Sequence, residues 1–339
     1  FLTNYHSSEV DMPVKIAIIG LGQIGASMGL ALAAHKDKVT VIGHDKDYSV
    51  EQRAKKNGAV DTTDHNLPNL VEQADLVILA LPIDQIRETF GFIAQDLKKD
   101  VVIVDTAPVK TEVVKWAKEL LPESAHYVGI VPAISSFHLN LIETGLDSAK
   151  PDLFTKSIFL LMAPPGTPGD AVKLVSDFVG LLGASAMMTD VVESDGLMAS
   201  AHILPRLVSA AFLNATASQP GWQEVRKVAS RGYFAAASGL LENNSEALAM
   251  LSMQDRENAI RTLNALMNAL LDLREDLENE DAESLTKHLS SAQNGRTNWL
   301  AERGKADWTQ LPGGNVEKIS IMETLLGSKL GKMGKPKDR

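Results

Sequence analysis

The chain has no cysteine, which excludes disulfides, thiolate metal sites and cysteine nucleophiles. No run approaches the roughly 20 apolar residues that a helix needs to cross a bilayer, so no membrane partner is expected. Residues 1–13 lack both a basic start and an apolar stretch, so they read as a disordered extension rather than a secretory signal. Positive charge is also in short supply. Lys and Arg number 33 against 43 Asp and Glu, for a net charge of −10, and the basic residues are spread among the acidic ones. That balance argues against nucleic acid or an anionic membrane surface and for a small-molecule partner. The eight histidines are scattered, with no HxxxH or HxH pair, so no metal site is expected. Cytosol is the default compartment.

What is present is length and periodicity. A chain of 339 residues that is 45% hydrophobic can bury a core in each of two domains. The runs at 15–19, 39–43, 75–82 and 101–105 are β-branched and of strand length, and the stretches 23–35, 84–97 and 110–120 carry apolar residues at helical spacing. Strands alternating with helices predict a parallel, doubly wound α/β sheet. The segment 57–74 shows little beyond one short helix. A strand at 157–165, a helix at 168–182 and a strand at 184–189 extend the sheet to about residue 189. Beyond it come Ala- and Leu-rich stretches, notably 193–217 and 244–278, with the composition of buried helices packed on one another. Their alanines permit close contact, and a homodimer through this region is expected. The tail beyond 304 holds one short helix near 316–327 and a basic, solvated end.

Gly20, Gly22 and Gly25 form a GxGxxG directly after the first strand and at the start of a helix. In such a turn Gly20 permits the tight bend, Gly22 lets backbone approach a pyrophosphate, and Gly25 lets helix pack on strand. The pyrophosphate would sit on the amides that open the helix, at Gln23 and Ile24. Asp45, 20 residues past the last glycine, is placed to accept hydrogen bonds from ribose hydroxyls and to repel a 2′-phosphate. NAD is therefore expected over NADP, with His44 and Lys46 softening the preference. Leu81, Pro82 and Thr106 lie where two further strands end, on the edge that would flank the nicotinamide half. These features divide the chain into an extension (1–13), a Rossmann-type dinucleotide-binding domain (14–189), an all-α substrate and dimerisation domain (190–304) and a tail (305–339).

The blocks GLGQIGASMGLAL (20–32), ALPIDQI (80–86), DTAPVK (105–110), YVGIVP (127–132), LFTKSIFLLMAP (153–164), LLGA (181–184) and ASAHILPRL (199–207) resemble, in order and spacing, the TyrA-type family of prephenate and arogenate dehydrogenases. The resemblance implies an NAD-dependent oxidative decarboxylation of a small cyclic hydroxy acid, as in tyrosine biosynthesis. It also implies a histidine to act on the hydroxyl, a cation on a substrate carboxylate, and a helical dimerisation domain opening at the SHLP block, whose histidine falls on His202. The chain departs from the family at the residues expected to do the chemistry. The DxxSxK block reads DTAPVK (105–110), with no serine at Ala107 or Pro108, although Lys110 is retained. The GHP segment reads Gly129, Ile130, Val131, Pro132, without its histidine, and no GFRDxTR arginine appears in RGYFAAASG (231–239).

Replacements are available. His202 and Arg206 lie four residues apart and so share a helix face; the alternative for His202 is a satisfied core histidine. Lys110 and His138 complete the catalytic candidates; Arg231 is a second candidate anion binder, set against the favoured reading of a solvated or ion-paired arginine. Two readings compete with the dehydrogenase of prephenate or arogenate. One is a dehydrogenase repurposed for another hydroxy acid, and the other is a non-catalytic NAD-binding sensor or assembly protein. A β-hydroxyacid dehydrogenase with a lysine acid/base is disfavoured by the absence of lysine from 190–217. The stretch after 304 is also too short for a separate tyrosine-sensing module.

Overall fold

A computed structural model describes residues 13–240 and 244–306. All but the last residue of the expected extension, and most of the tail with its helix near 316–327, lie outside the described residues.

The first half is one eight-stranded sheet. Its strands are β1 (Val14–Ile19), β2 (Val39–His44), β3 (Thr62–Thr63), β4 (Leu76–Leu79), β5 (Val102–Asp105), β6 (His126–Pro132), β7 (Ile158–Met162) and β8 (Ser185–Met188). Helices α1 (Gln23–Leu32), α2 (Tyr48–Lys56), α3 (Leu67–Glu72), α4 (Ile83–Ile93), α5 (Thr111–Leu120) and α6 (Gly169–Leu181) alternate with them. The spatial order is β3-β2-β1-β4-β5-β6-β7-β8. Every residue of β4 and β5 is buried, as strands with helices on both faces must be. One core lies between the sheet and α1 and α6, the other between the sheet and α3, α4 and α5. The chain order reverses between β1 and β4, which opens a crevice at the carboxyl ends of those strands.

Two features depart from the sequence expectation. The first is a pair of strands, β3 and β6, in segments for which none is expected; β3 is only two residues long, and β6 is interrupted by Gly129 and ends in Pro132. The second is that β6 and β7 run antiparallel, so the sheet is not wholly parallel. The cause lies in the 133–157 connection, which contains only the 3-10 turns Ser136–His138 and Gly145–Ser148. Without a crossover helix the chain can only come back beside the strand it left.

The second half is helical among the described residues. α7 (Val191–Met198) runs through a π turn (Ala199–Ile203) into α8 (Leu204–Ala217), followed by α9 (Trp222–Val228), α10 (Arg231–Ala237), α11 (Ser245–Gln254), α12 (Arg256–Glu278) and α13 (Ala282–Lys305). The π turn has a local cause. Pro205, in the first turn of α8, has no N–H for the preceding turn, and a widened turn absorbs the mismatch. The continuous helical stretch Val191–Ala217 is long and apolar enough to cross a membrane by length and composition alone. This corrects the expectation that no segment is: Val, Leu, Ile, Phe, Met and Ala dominate the stretch although Glu193, Asp195, His202 and Arg206 interrupt any continuous apolar run.

The expectation of buried helices also needs correction. Within one chain few of their side chains are enclosed: Ala199, Ile203, Leu251 and Ala259 are buried, while Met267 is 57% exposed and Leu270 is 56% exposed. The apolar character is real, but most of it faces outward.

Candidate active site

Backbone geometry shapes the nucleotide side. Gly20 has φ +94°, in the region that favours glycine, and a Cβ there would lie 2.5 Å from the Ala80 carbonyl oxygen. The turn after β1 is thus wedged against the end of β4, at the point where the strand order reverses. A Cβ on Gly25 would lie 2.0 Å from the Gly20 oxygen and 3.0 Å from Ile18 Cγ2, so α1 can approach β1 only without a side chain there. Gly22 caps α1, and no heavy atom lies within 4 Å of its would-be Cβ. That open space adjoins the first-turn amides of Gln23 and Ile24, which the intrahelical ladder leaves unused. A dinucleotide pyrophosphate suits such a place, in both charge and clearance.

Asp45 follows β2 and is half-buried. Its Oδ2 accepts from Leu21 N at 2.9 Å and its Oδ1 from Asp47 N at 3.0 Å, which ties the carboxylate to the glycine turn. His44, expected to moderate its charge, turns inward instead: it is 7% exposed, with Nδ1 3.2 Å from the Asp64 carbonyl oxygen. Lys46 is exposed. Leu81, half-buried, and Pro82, exposed, follow β4. Thr106 donates its N–H to Leu79 O at 3.1 Å, which holds the turn after β5 against β4.

Behind that turn lies a buried ionic cluster. Lys110 and Asp105 are both fully enclosed, with Nζ to Oδ1 at 2.6 Å. The same Oδ1 accepts from Ala107 N at 2.9 Å, and Oδ2 accepts from the Tyr127 hydroxyl at 2.5 Å. Burial lowers the Lys110 pKa, opposed by Asp105. Burial and the same carboxylate hold the Tyr127 phenol well above its usual value. The Lys110 ammonium thus meets Asp105 rather than an open surface. Asp195 of α7 accepts from Lys110 N at 2.7 Å and Thr111 N at 3.0 Å, capping α5 from the other half of the chain. Asp105, Tyr127 and Asp195 are absent from the sequence candidates; the only signal for Asp195 is a carboxylate set in an apolar helical stretch.

The residues expected at the chemistry side are distributed unevenly. Val131, in the GHP-like segment, forms an apolar patch with Leu160 and Met162, against which Val191 and Met198 pack. Met198 is one turn before His202, which lies in the π turn beside Arg206. Burial, and secondarily the Arg206 charge, push the His202 pKa down to about 3, so its imidazole is neutral at physiological pH. Ala107, in the turn after β5, is 2% exposed. His138 lies elsewhere, on the turn covered by α13, with Nε2 2.9 Å from Asp152 Oδ1. Arg231 is exposed at the first residue of α10.

Residues 28–188 match the family described as prephenate dehydrogenase, nucleotide-binding domain. The match begins inside α1, so the glycine turn stands on its own geometry. The chain is 26% identical to a cyclohexadienyl dehydrogenase of Zymomonas mobilis over 83% of its own length and 94% of that protein. It is 23% identical to a prephenate dehydrogenase of Bacillus subtilis over 84% of its length and 76% of that protein. The fold matches that of A. aeolicus prephenate dehydrogenase in complex with hydroxyphenyl propionate and NAD+, with a TM-score of 0.74 at 18% identity, covering 84% of this chain and 98% of that one. Glycine turn, sheet order and helical half therefore stand together as one architecture, and the chain is similar over most of its length to prephenate and cyclohexadienyl dehydrogenases, with residues 28–188 matching the prephenate dehydrogenase nucleotide-binding domain.

Proposed function

We propose that this chain is an NAD-dependent dehydrogenase that oxidatively decarboxylates a small cyclic hydroxy acid of the prephenate or arogenate type. The observation that carries the reading is the glycine turn wedged against Ala80 at the strand reversal, with Asp45 bonded to its Leu21 amide. The names of relatives that cover most of the chain supply the substrate class. NAD would supply the hydride acceptor. In this reading the Gln23 and Ile24 amides hold the pyrophosphate and Asp45 the adenosine ribose, while Leu81, Pro82 and Thr106 border the nicotinamide half. NADP would meet the Asp45 carboxylate with its 2′-phosphate.

His202 is the group we assign to the substrate hydroxyl, because it stands one turn from Met198, which packs on Val131. A neutral imidazole accepts a hydrogen bond but, at a pKa of about 3, holds a proton poorly. An anionic substrate carboxylate beside Arg206 would offset the positive charge that helps depress it and strengthen the base as the substrate arrives. Lys110 we assign to positioning: with Asp105 it fixes the turn after β5. His138 is a weaker candidate, engaged with Asp152. We further propose a homodimer in the cytosol, with the exposed apolar faces of α12 covered by a second copy rather than by lipid.

Calorimetric titration with NAD and NADP, followed by absorbance of reduced nicotinamide with prephenate and arogenate, tests the reading. NAD should bind and be reduced, and His202→Asn should lower kcat by about 10²–10⁴-fold with NAD affinity unchanged. Binding without turnover of either acid would move the reading to another hydroxy acid or to a non-catalytic NAD protein. Failure to bind either cofactor would overturn it.

A further inference from the structure

On the adenosine side of the glycine turn, three side chains meet that the sequence keeps apart. His44 ends β2, Glu51 lies in α2, and His65 follows β3, 21 residues after His44. Glu51 is 0% exposed, a setting in which a carboxylate is costly unless its oxygens are satisfied. Only one of them is. Oε1 accepts from Asp45 N at 3.0 Å and lies 2.9 Å from His65 Nδ1 and 3.3 Å from His44 Nδ1. Oε2 is buried with no hydrogen-bond partner among the described residues.

Two imidazole nitrogens and a carboxylate, one of whose oxygens is unsatisfied, make a donor set with a recognisable chemistry. One donor atom from each residue falls within 4.8 Å of the others. A tetrahedral zinc with bonds of about 2.0–2.2 Å sets its ligand atoms about 3.3–3.5 Å apart, so donor atoms already gathered within 4.8 Å need only a small closure. We propose that His44, Glu51 and His65 bind a borderline divalent cation, zinc by preference. The two imidazoles disfavour magnesium and calcium, which take oxygen ligands. Three protein ligands leave a fourth position for water. Other groups hold the ligands in place. The Asp64 carbonyl lies against the His44 ring, and the Tyr48 ring meets His65 edge-on at 5.8 Å between centroids.

The site bears on the dinucleotide half through Glu51. With Oε2 given to the cation, Oε1 still holds the Asp45 amide, so the bound ion fastens the loop that carries the ribose-facing carboxylate. It also puts a double positive charge near that carboxylate, which would narrow the preference against a 2′-phosphate.

The test is titration of the chelator-treated full chain with zinc by calorimetry, and with cobalt(II) followed by visible absorbance. No dinucleotide is present, so the outcome is independent of the cofactor reading. One zinc per chain is expected, with cobalt giving the intense bands of a tetrahedral site. His65→Ala, at a side chain 54% exposed that the fold can spare, should weaken binding by more than about 100-fold. His288→Ala, beside the acidic turn between α12 and α13, should leave it unchanged. No uptake at equimolar zinc overturns the proposal, as does uptake that His65→Ala leaves intact.

Discussion

The two halves of the candidate site are made of different material. The nucleotide half is backbone: a positive-φ glycine, a helix start and carbonyls that leave no space for a Cβ at Gly20 or Gly25. The chemistry half is side chains drawn from remote segments: Val131 from β6, His202 from a π turn, Asp195 from α7. Backbone cradles tolerate little variation in the residues that form them, whereas a set of converging side chains can be exchanged one at a time. Set against the pattern its sequence resembles, this chain keeps the glycines of the first and lacks the serine and histidine expected in the second.

The largest test of that contrast sits where the halves touch. Lys110→Met strips Asp105 of its buried partner and should cost about 3–5 kcal/mol in urea unfolding. A loss no greater than that of a surface lysine would mean that the turn after β5 does not depend on the pair. Next, Gly25→Ala drives a Cβ into the Gly20 carbonyl and should cost about 1–3 kcal/mol together with NAD affinity. Gly22→Ala, with open space at the same turn, should leave the Tm in place and weaken NAD alone; equal effects of the two would erase the distinction between a packing glycine and a clearance glycine.

Acid offers a finer probe of the helical half. The His202 pKa falls from 6.5 to about 3 on folding, so as pH drops the unfolded chain takes up that proton first. Its stabilising contribution is complete above about pH 6.5 and is lost toward pH 3, at about 1.4 kcal/mol per pH unit. His202→Asn should flatten the stability profile by one proton's slope across that window, and an unchanged slope would refute the burial. Smallest in energy is Leu270→Glu on the outward face of α12, which should shift sedimentation toward the monomer while unfolding by urea barely changes.

How much of this was legible in the sequence follows the same division. Periodicity marks β1, β2, β4 and β5 because strands covered on both faces are continuous β-branched runs. The glycine turn is legible because its spacing is dictated by bond geometry. β6 escapes notice since Gly129 and Pro132 give its run the look of a loop, and its antiparallel partner depends on what the 133–157 connection lacks. His44, Glu51 and His65 carry no local signal, because only the parallel register of β2 and β3 brings them together. The Asp105, Lys110, Tyr127 and Asp195 cluster is likewise assembled across strands, and burial in one chain cannot be read for helices whose apolar faces point outward.

The cap that Asp195 places on α5 has a consequence for motion. Many two-domain enzymes admit substrate by swinging one domain about a hinge, but here the amides that begin α5, in the sheet half, are satisfied by the Asp195 carboxylate of the helical half. Rotation apart would strip two buried N–H groups and a carboxylate of their partners together, a penalty of several kcal/mol. Access to His202 should therefore come without rotation of the two halves, and turnover should be insensitive to solvent viscosity on the scale of such a rotation.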